Sequence, residues 1–578
     1  MIYEAWSGSR ILLTEWPHMG NIKQSKVLVI GLDGATFNLM RPWMDQGLLP
    51  NLGRVCNQGA SGNLRSTLPP TTAAAWSSLM TGRNPGSHGI FGMTTRMDNQ
   101  YRIMPLNSTF RHGRDLWEIL SDHGLKVGVV NVPMTHPVRK IDGIMVTGLM
   151  TPPDAEDYTY PRELAGELDK AIGEYRVQER VYRFVEGNEE SFLKELYDTT
   201  KMRADATLYL MENHEWDFFM VVFEGTDKIQ HAMWHHTDPN HPRYGKSKAE
   251  KYSDAILRYY QHMDGVVGKL LSKIDENTVV FLVSDHGAGP LYKWIHVNNI
   301  LMNHGFLTMK RNLRVFLKLL LFKMGFAPLN LYRLLLKLRV GKVRGKIGKE
   351  KARRMMRRFL LSFHDVDWDR TRAYSMGGYC QIIVNLKGRE PKGIVDPHDE
   401  YHQVTDGIAK LLSDLKDPQT GMSIFDPGRI YRKEDVYRGP LTGKAPDLIF
   451  LPKETYLSFP GFEFGTNETI SGVSGWSGAH RMNGILAING MGVSKGAQIE
   501  DAKIEDVAPT ILYLLGVPIP RDMDGRVLTE AFEPKLREAR PVQYAQETAA
   551  EWAAGAQKEY SVEEQEKLKR VLRGLGYL

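Results

Sequence analysis

Short runs of β-branched and aromatic residues, each followed by a polar or acidic residue, place the strongest constraint on the fold of this 578-residue chain. They predict buried strands of a parallel sheet, because helices cover both faces of such a sheet and its strands are apolar throughout. The predicted strands are 26–32 before Asp33, 217–223 before Glu224, 278–283 before Ser284, and 484–488.

Helical patterns at 163–172, 190–212 and 248–274 alternate with these strands. The order predicts an α/β fold: a mainly parallel sheet flanked by helices. Ligands of such sheets bind beyond the carboxyl ends of the strands, so the polar residues that follow the predicted strands are candidates for chemistry.

A region rich in Leu, Lys and Arg, with no strand pattern, predicts a helical cap inserted into this core. Ser561 and Glu564 have the spacing of a capping box and predict a last helix. The predicted parts are an N-terminal extension (1–25), the first part of the core (26–300), the basic helical cap (301–363), the second part of the core with the His480 loop (364–530) and a C-terminal helical tail (531–578).

The composition limits the classes of protein. Two cysteines, Cys56 and Cys380, are too few for a disulfide framework or a zinc-thiolate site, which favours a reducing compartment. Residues 1–26 lack the continuous apolar core of a secretion signal. No run of about eighteen apolar residues predicts a membrane-spanning helix. We therefore expect a cytoplasmic protein, either free or peripheral to the membrane.

Positive charge is concentrated in one segment. Residues 310–358 contain 17 Lys and Arg against one acid, Glu350, while the whole chain has a net charge of +6. Leu and Phe at helical spacing between these charges are typical of helices that lie on anionic membranes, although they would equally serve to pack the cap. Nucleic-acid binding is not expected, because the segment has no base-stacking motif.

Acidic and imidazole side chains at separate points of the chain form a candidate site for two divalent metal ions. Asp227 and His231 are four residues apart, so on a helix they share one face. Oxygen and nitrogen ligands without thiolate favour Zn²⁺, with Mn²⁺ as the alternative. The candidate ligands are Asp33, Asp227, His231, Asp285, His286 and His480.

A hydroxyl nucleophile is available in the segment 68–82, where Thr71 and Thr72 precede an Ala-rich helix. Amides at a helix N-terminus can donate to a phosphoryl oxygen, and a bound metal lowers the pKa of a hydroxyl. Both threonines fit this position, and both would also serve as helix caps.

The order of these motifs from residue 26 to residue 528 resembles the alkaline phosphatase superfamily, in particular the type I phosphodiesterases/nucleotide pyrophosphatases and their phosphohydrolase and phosphomutase relatives. The matching motifs are Leu32-Asp33-Gly34, Thr72 through Thr81-Gly82 to Ser87-His88-Gly89-Ile90, Asp227-x-x-x-His231, Ser284-Asp285-His286-Gly287 and Ala479-His480.

The resemblance implies a role for each candidate. It assigns Asp227, His231 and His480 to one metal, and Asp33, Asp285, His286 and the Thr72 oxygen to the other. It makes Thr72 the nucleophile, with Thr71 as the alternative, and implies hydrolysis of a phosphodiester or pyrophosphate through a phosphothreonine. Expected substrates are small phosphate esters or lipid- or glycan-linked phosphates.

Met93 departs from the family pattern, because nucleotide pyrophosphatases carry there an asparagine that helps to hold the phosphoryl oxygen. Two alternatives therefore stay open: a phosphomonoesterase or phosphomutase on the same metals, and a non-catalytic protein that docks on membranes. Of the remaining polar residues near the motifs, we expect His88 to shape its loop, Lys228 to be solvated, and His235 and His236 to face solvent or the cap.

Overall fold

The computed structural model describes residues 25–97, 100–180, 183–245, 249–337, 359–376, 379–459, 464–546 and 557–576. Almost the whole predicted extension 1–25, and residues 338–358 of the predicted basic cap, lie outside the described residues. No helix in the described ranges combines the length and apolarity needed to cross a membrane.

The strands are β1 (Lys26–Leu32), β2 (Ala60–Arg65), β3 (Thr94–Arg96), β4 (Ile103–Pro105), β5 (Val127–Val132), β6 (Gly143–Thr147), β7 (Thr159–Tyr160), β8 (Phe218–Phe223), β9 (Thr278–Val283), β10 (Gly287–Pro290), β11 (Lys293–Ile295), β12 (Ala373–Tyr374), β13 (Gln381–Val384), β14 (Ile430–Arg432), β15 (Leu448–Phe450), β16 (Tyr456–Ser458), β17 (Ile470–Gly472), β18 (Gly478–Arg481) and β19 (Asn483–Asn489).

The helices are α1 (Phe37–Asp45), α2 (Pro50–Gln58), α3 (Thr72–Thr81), α4 (Pro85–His88), α5 (Leu116–Asp122), α6 (Leu164–Ile172), α7 (Glu189–Asn213), α8 (Gly225–Thr237), α9 (Ala249–Tyr252), α10 (Ala255–Leu271), α11 (Val297–Asn303), α12 (Leu313–Lys323), α13 (Pro328–Lys337), α14 (Asp399–Ser413), α15 (Lys433–Val436), α16 (Val507–Leu515), α17 (Pro534–Ala539) and α18 (Val562–Gly574).

A central sheet of eight strands, in the order β2-β19-β9-β1-β8-β5-β6-β7, organises the chain. The five strands from β9 to β6 are parallel. Strand β7 and the pair β19 and β2 run antiparallel to their neighbours. The predicted mainly parallel α/β sheet is confirmed, and the predicted strand 484–488 is one of its antiparallel members.

Strand β1 shows why these segments are apolar throughout. Leu28 and Ile30 belong to one buried core, which also contains residues of α2, α7 and α10. Val27 and Val29 belong to a second core on the opposite face, with residues of α3, α5 and α16. Successive side chains of a strand point to opposite faces, so a sheet with helices on both faces needs apolar residues at every position.

The predicted helices are present with one correction. α6 and α7 match 163–172 and 190–212 closely, but the single helix predicted over 248–274 is wrong. In the described part of that range it is two helices, α9 and α10, and Asp254 between them takes the N-cap position of α10 with a non-helical φ of −108°. Asp and similar short polar residues favour such caps over helix interiors.

The second half of the chain builds two small sheets, β12-β13-β15-β14 and β16-β11-β17, over a third core. Helices α12 and α13 lie in the predicted cap, and the boundaries of that cap remain a prediction. The predicted last helix is present as α18, with the Ser561 and Glu564 capping box. Val571 and Leu572 of α18 are buried in the third core, so the end of the chain packs against the body.

Candidate active site

Three neighbouring strands end at the candidate site. β9, β1 and β8 lie side by side and run parallel, so their carboxyl ends meet at one edge of the sheet. Asp33 follows β1, and Asp285 and His286 follow β9. All three side chains are buried. Three ionisable side chains therefore lie where water cannot solvate them.

Helix α8 begins directly after β8 and contributes the next pair. Asp227 and His231, one helical turn apart, are both buried, and His231 Nε2 lies 3.1 Å from Asp227 Oδ1. His480 comes from β18, which pairs with β10 immediately after His286. This pairing stacks the rings of His286 and His480, whose centroids are 3.5 Å apart.

The imidazoles of His231 and His480 are arranged as metal-binding histidines are. His231 Nδ1 lies 2.6 Å from the Gly478 carbonyl oxygen and His480 Nδ1 lies 2.8 Å from the Pro70 carbonyl oxygen, so each Nδ1–H donates. Each Nε2 then carries a lone pair, yet the two Nε2 atoms are 3.0 Å apart. Backbone acceptors on the far nitrogen are the usual arrangement for metal-binding histidines.

A second group forms around His286. Its Nδ1 faces the Gly287 carbonyl oxygen at 3.0 Å. Its Nε2 lies 3.3 Å from Asp285 Oδ2, 3.6 Å from Asp33 Oδ1 and 3.3 Å from Thr72 Oγ1. Asp33 Oδ1, Asp227 Oδ1 and Asp285 Oδ2 are all buried, and none has a hydrogen-bond donor among the described residues. Buried carboxylate oxygens without donors are costly unless a cation binds them.

The donor atoms fit two ions. One atom each from Asp227, His231 and His480 lie within 4.8 Å of one another, and so do one atom each from Asp33, Asp227 and His286. Asp227 thus belongs to both groups of donor atoms, whereas the family resemblance assigned it to one metal ion. Asp285 is outside both groups, although its Oδ2 faces His286. Oxygen and nitrogen donors of this kind suit Zn²⁺ or Mn²⁺.

Burial favours the neutral forms of three of these groups. Reinforced by the charges of Asp285 and Asp227, burial raises the pKa of Asp33 well above its ordinary value. Burial also raises the pKa of Asp285, and with the neighbouring His286 it lowers the pKa of His480 well below its ordinary value. Asp227 is the exception, because the adjacent imidazoles outweigh burial and lower its pKa. Bound cations would favour the carboxylate forms of the acids and the neutral form of the imidazole.

The structure distinguishes the two candidate hydroxyls. Thr72 is the first residue of α3, and Thr71 is its N-cap. Thr72 lines a cavity together with Asp33 and Asp227, whereas Thr71 lines a separate cavity on the Met93 side. One turn along α3, Trp76 Nε1 donates to Asp33 Oδ2 at 3.0 Å. The start of α3 therefore places Thr72, and not Thr71, against the candidate ligands.

Met93 is buried in the third core rather than facing the ligands. It shares a cavity of about 60 Å³ with Thr71, Arg96 and Tyr379. The Met93 side chain has no hydrogen-bond donor to offer to a phosphoryl oxygen. The side chain at this position therefore cannot supply the hydrogen bond that the family asparagine gives to a phosphoryl oxygen.

Other sequence expectations need correction. Lys228 is not solvated: it is buried, and its Nζ lies 2.5 Å from both Glu179 Oε1 and Glu224 Oε2. His235 and His236 do not face solvent, since both are buried, and His235 Nδ1 lies 2.9 Å from Ser477 Oγ. Packing of the chain around α8 covers these side chains, which the pattern of a single helix does not reveal.

The expectation for His88 agrees with its contacts. Its Nδ1 accepts a hydrogen bond from the Ile90 amide at 3.1 Å, and its Nε2 lies 2.9 Å from Ser78 Oγ. Burial, followed by the nearby Arg111, lowers the pKa of His88 well below its ordinary value. A buried neutral imidazole thus ties α3 to the loop that follows it.

Three residues of the site were missed from the sequence. Trp476 stacks on the His231 ring with centroids 3.8 Å apart. Glu224, at the end of β8, and Leu575, near the end of the chain, line the cavity at Thr72. The position of Glu224 after a predicted strand was a usable signal. Nothing local to Leu575 indicated that the tail reaches the site.

The chain is similar to several known proteins. The family model described as type I phosphodiesterase/nucleotide pyrophosphatase matches residues 27–477. The solved structure of phosphonoacetate hydrolase from Sinorhizobium meliloti 1021, in complex with phosphonoformate, is 12% identical with a TM-score of 0.48, and the match covers 86% of this chain and 96% of that one. Human ectonucleotide pyrophosphatase/phosphodiesterase 5 is 12% identical with a TM-score of 0.45, covering 85% and 95%.

A shorter match links the chain to a mutase. The 2,3-bisphosphoglycerate-independent phosphoglycerate mutase of Bacteroides thetaiotaomicron is 42% identical over 50 residues, which are 9% of this chain and 10% of the mutase. The family model, by contrast, spans most of the sheet and every candidate ligand except His480. On that match the chain belongs to the type I phosphodiesterase/nucleotide pyrophosphatase family of the alkaline phosphatase superfamily and is a hydrolase of this class.

Proposed function

We propose that this hydrolase cleaves a phosphodiester or pyrophosphate bond with Thr72 as its nucleophile. The observation that carries the proposal is the position of the Thr72 hydroxyl, 3.3 Å from His286 Nε2 and in one cavity with Asp33 and Asp227. The residues supply a nucleophile, a buried anionic cradle and a helix N-terminus at one point.

Two divalent cations, Zn²⁺ or Mn²⁺ by their donor set, would be held by Asp227, His231 and His480 and by Asp33, Asp227 and His286, with Asp285 beside His286. There they would offset negative charge and favour the Thr72 alkoxide. His231 and His480 direct their Nε2 lone pairs toward the site, because their Nδ1–H groups donate hydrogen bonds to the carbonyl oxygens of Gly478 and Pro70. Trp76 fixes the orientation of the Asp33 carboxylate.

Thr72 performs the first displacement. Its Oγ attacks phosphorus, the Oγ–P bond forms, and the bond to the leaving-group oxygen breaks. The first amides of α3 have no partners within the helix and point toward its N-terminus, where they can donate to the phosphoryl oxygens. Water then cleaves the phosphothreonine and restores Thr72.

Space for a leaving group is present on the other side of His480. A cavity of about 680 Å³ is lined by His480, Arg481, Pro70 and Tyr379, among others. Its volume lies in the range of small-molecule sites. This supports an ester with a sizeable leaving group, either a small molecule or a phosphate linked to a lipid or glycan.

A phosphomonoesterase or phosphomutase at the same residues is the second candidate, and the short match to a phosphoglycerate mutase favours retaining it. A monoester dianion calls for additional cationic side chains. Of the described residues that line the cavity at Thr72, Lys228 is the cationic one, and Glu179 and Glu224 already bind it. This favours the diester.

The decisive experiment compares Thr72→Ala with the matched variant Thr71→Ala in hydrolysis of bis(p-nitrophenyl) phosphate and p-nitrophenyl phosphate, with Zn²⁺ or Mn²⁺ added. We expect Thr72→Ala to lower kcat/KM by a factor of about 10³ or more, and Thr71→Ala by less than about tenfold. The parent should prefer the diester.

Equal activity of Thr72→Ala and the parent would refute the nucleophile. Absence of turnover by the parent on either substrate would favour the non-catalytic docking protein. A cytoplasmic location belongs to the same proposal, and the buried, unpaired Cys56 and Cys380 support it.

A further inference from the structure

Exposed apolar side chains are concentrated in one part of the molecule. Of the thirteen large hydrophobic side chains exposed in the described residues, eight lie between Leu313 and Phe359. Leu313 is 74% exposed, Phe316 62% and Met324 65%. Single exposed apolar residues are common on soluble proteins, but a concentration of this size marks an interaction surface.

Helix α12 is fixed to the body by its inner side. Val315 and Phe322 are buried, and the buried Lys318 ammonium binds both Asp365 carboxylate oxygens at 2.9 and 2.7 Å. Asn312 caps the helix by accepting from the Val315 amide at 2.9 Å. These contacts hold the helix in one orientation.

The opposite side of α12 is a continuous apolar stripe. Its members are spaced three, four, seven and eleven residues from the first, which places them on one face of a helix. We call this the outer face; it consists of Leu313, Phe316, Leu317, Leu320 and Met324, all exposed.

Basic residues surround the outer face. Lys310, Arg311, Arg314 and Lys323 are all exposed. The sequence contains no acidic residue from 286 to 349. Within this segment the surface therefore combines an apolar stripe with positive charge only, which complements a partner that is apolar inside and negatively charged outside.

A second copy of this chain is a poor match for that surface. In a two-fold dimer the same patch meets itself. Arg311, Arg314 and Lys323 would then approach their own equivalents without acidic partners, and like charges in contact are unfavourable. An anionic bilayer has no such conflict, because its headgroups pair with the basic residues while its acyl chains receive the apolar stripe.

We propose that the outer face of α12 and its four flanking basic residues dock this protein on anionic lipid bilayers. Phe316 and Leu320 enter the boundary between headgroups and acyl chains, and Arg311, Arg314 and Lys323 contact the phosphates. This function goes beyond hydrolysis and does not depend on it.

Helix α13, which follows α12 along the chain, is hydrogen-bonded to the segment that leads to the active site. The Leu329 amide of α13 donates to the Gly465 carbonyl oxygen at 2.8 Å, and Arg333 donates to the Gly472 carbonyl oxygen at 2.7 Å. The bonded segment leads directly to Trp476 and His480. The surface and the loop that carries a candidate ligand thus form one connected structure.

The test measures co-sedimentation of the full chain with vesicles of phosphatidylcholine alone and with vesicles of equal parts phosphatidylcholine and phosphatidylglycerol. Two variants remove one component each: Phe316→Ser with Leu320→Ser removes apolar area, and Arg311→Gln with Arg314→Gln and Lys323→Gln removes three positive charges. The matched control is Met422→Ser with Val562→Ser, at side chains that are 62% and 81% exposed elsewhere on the surface.

We expect the parent and the control to bind the mixed vesicles and to bind phosphatidylcholine at least about tenfold more weakly. The apolar variant should bind the mixed vesicles at least about tenfold more weakly than the parent does. The basic variant should lose on the order of 100-fold, since each charge near the surface accounts for about fivefold. Unchanged melting temperatures would show that all variants fold.

Parent-like binding by either outer-face variant would overturn the proposal, as would equal loss in the control. Sedimentation velocity without lipid tests the alternative that a second copy of this chain binds the outer face. If the apolar variant converts a dimer to a monomer and binds vesicles like the parent, the surface is an interface between copies and the proposal is wrong.

Discussion

Two buried charge clusters adjoin each other at helix α8, and they balance their charges differently. The metal-centre cluster contains three carboxylates and three histidines: Asp33, Asp227, Asp285, His231, His286 and His480. The paired cluster contains Glu179, Arg203, Glu224 and Lys228, two acids and two bases. Asp227 and Lys228 are consecutive residues and belong to different clusters.

The paired cluster is neutral through its own side chains. Lys228 Nζ lies 2.5 Å from both glutamates, and Arg203 Nη1 lies 3.6 Å from each of them. Burial opposes the charge on Lys228, but the glutamates outweigh it and raise its pKa. Burial likewise opposes ionisation of Glu179, but Lys228 and Arg203 bring its pKa to about 2.

The carboxylates of the metal-centre cluster have a different environment. Trp76 Nε1 donates to Asp33 and the Gly34 amide donates to Asp285 at 3.2 Å, while Asp227 lies beside two imidazoles. Hydrogen bonds alone therefore do not separate the clusters, since both contain them. The ion pairs do: among the described residues these three acids pair with no Lys or Arg, and bound cations would supply the positive charge.

The largest expected effect comes from neutralising an acid in the metal centre. Without divalent ions, Asp33→Asn should be more stable than the parent, because a buried carboxylate with a raised pKa is removed. With Zn²⁺ near a thousand times the parent's Kd, the parent should gain about 4 kcal/mol and the variant much less. Hydrolysis should fall at least about 100-fold.

Thermal unfolding in chelator and in added Zn²⁺ or Mn²⁺ measures both changes: the gain in stability of Asp33→Asn without metal and its smaller stabilisation by metal. Thr72→Ala is the matched control, because it removes the nucleophile and leaves all six acids and imidazoles. A destabilised Asp33→Asn in chelator, with a full response to added metal, would show that the two clusters do not differ as described.

A change in stability of the opposite sign is expected in the paired cluster. Lys228→Met leaves Glu179 and Glu224 buried with one cation between them, which should lower the free energy of unfolding by about 3–5 kcal/mol. Adding Glu179→Gln restores the balance and should recover more than about 1 kcal/mol of that loss. Urea unfolding of both variants in chelator provides the measurement.

Recovery by the second substitution is the discriminating result. A merely structural loss of packing at Lys228 would leave the double variant as unstable as the single one or less stable. In that case the paired cluster would owe its stability to side-chain packing, and its comparison with the metal centre would fail.

Much of the metal centre could be predicted from the sequence because its geometry is local. Asp33, Asp285 and His286 follow strands whose apolar pattern is unmistakable, and parallel strands bring their ends together. Asp227 and His231 share a helix face by spacing alone. His480 was a candidate by residue type alone, and its position beside the others is set by the pairing of β18 with β10, which the sequence does not reveal.

The paired cluster could not be predicted, because its partners are distant in sequence. Glu179 lies 49 residues before Lys228 in a segment without regular structure. A lysine beside an aspartate on a helix is usually solvated, which made the expectation for Lys228 wrong. Burial by loops also explains His235 and His236. Periodicity predicts which face of a helix is apolar, but not which loops will cover its polar face.

The smallest expected effect is the loss, at acid pH, of the stability that the Glu179 carboxylate contributes to the paired cluster. The Glu179 pKa is about 2 in the folded chain against 4.5 as its ordinary value. A lowered folded pKa contributes stability that is complete above about pH 4.5 and is lost as pH falls toward 2. The difference in free energy of unfolding between the parent and Glu179→Gln should therefore be constant from pH 7 to about 5 and shrink below it. Urea unfolding in chelator at each pH tests this, because metal release then adds nothing to the slope. A difference independent of pH down to 3 would mean that the Glu179 carboxylate gains nothing from Lys228 and Arg203, and that the paired cluster is not balanced by charge.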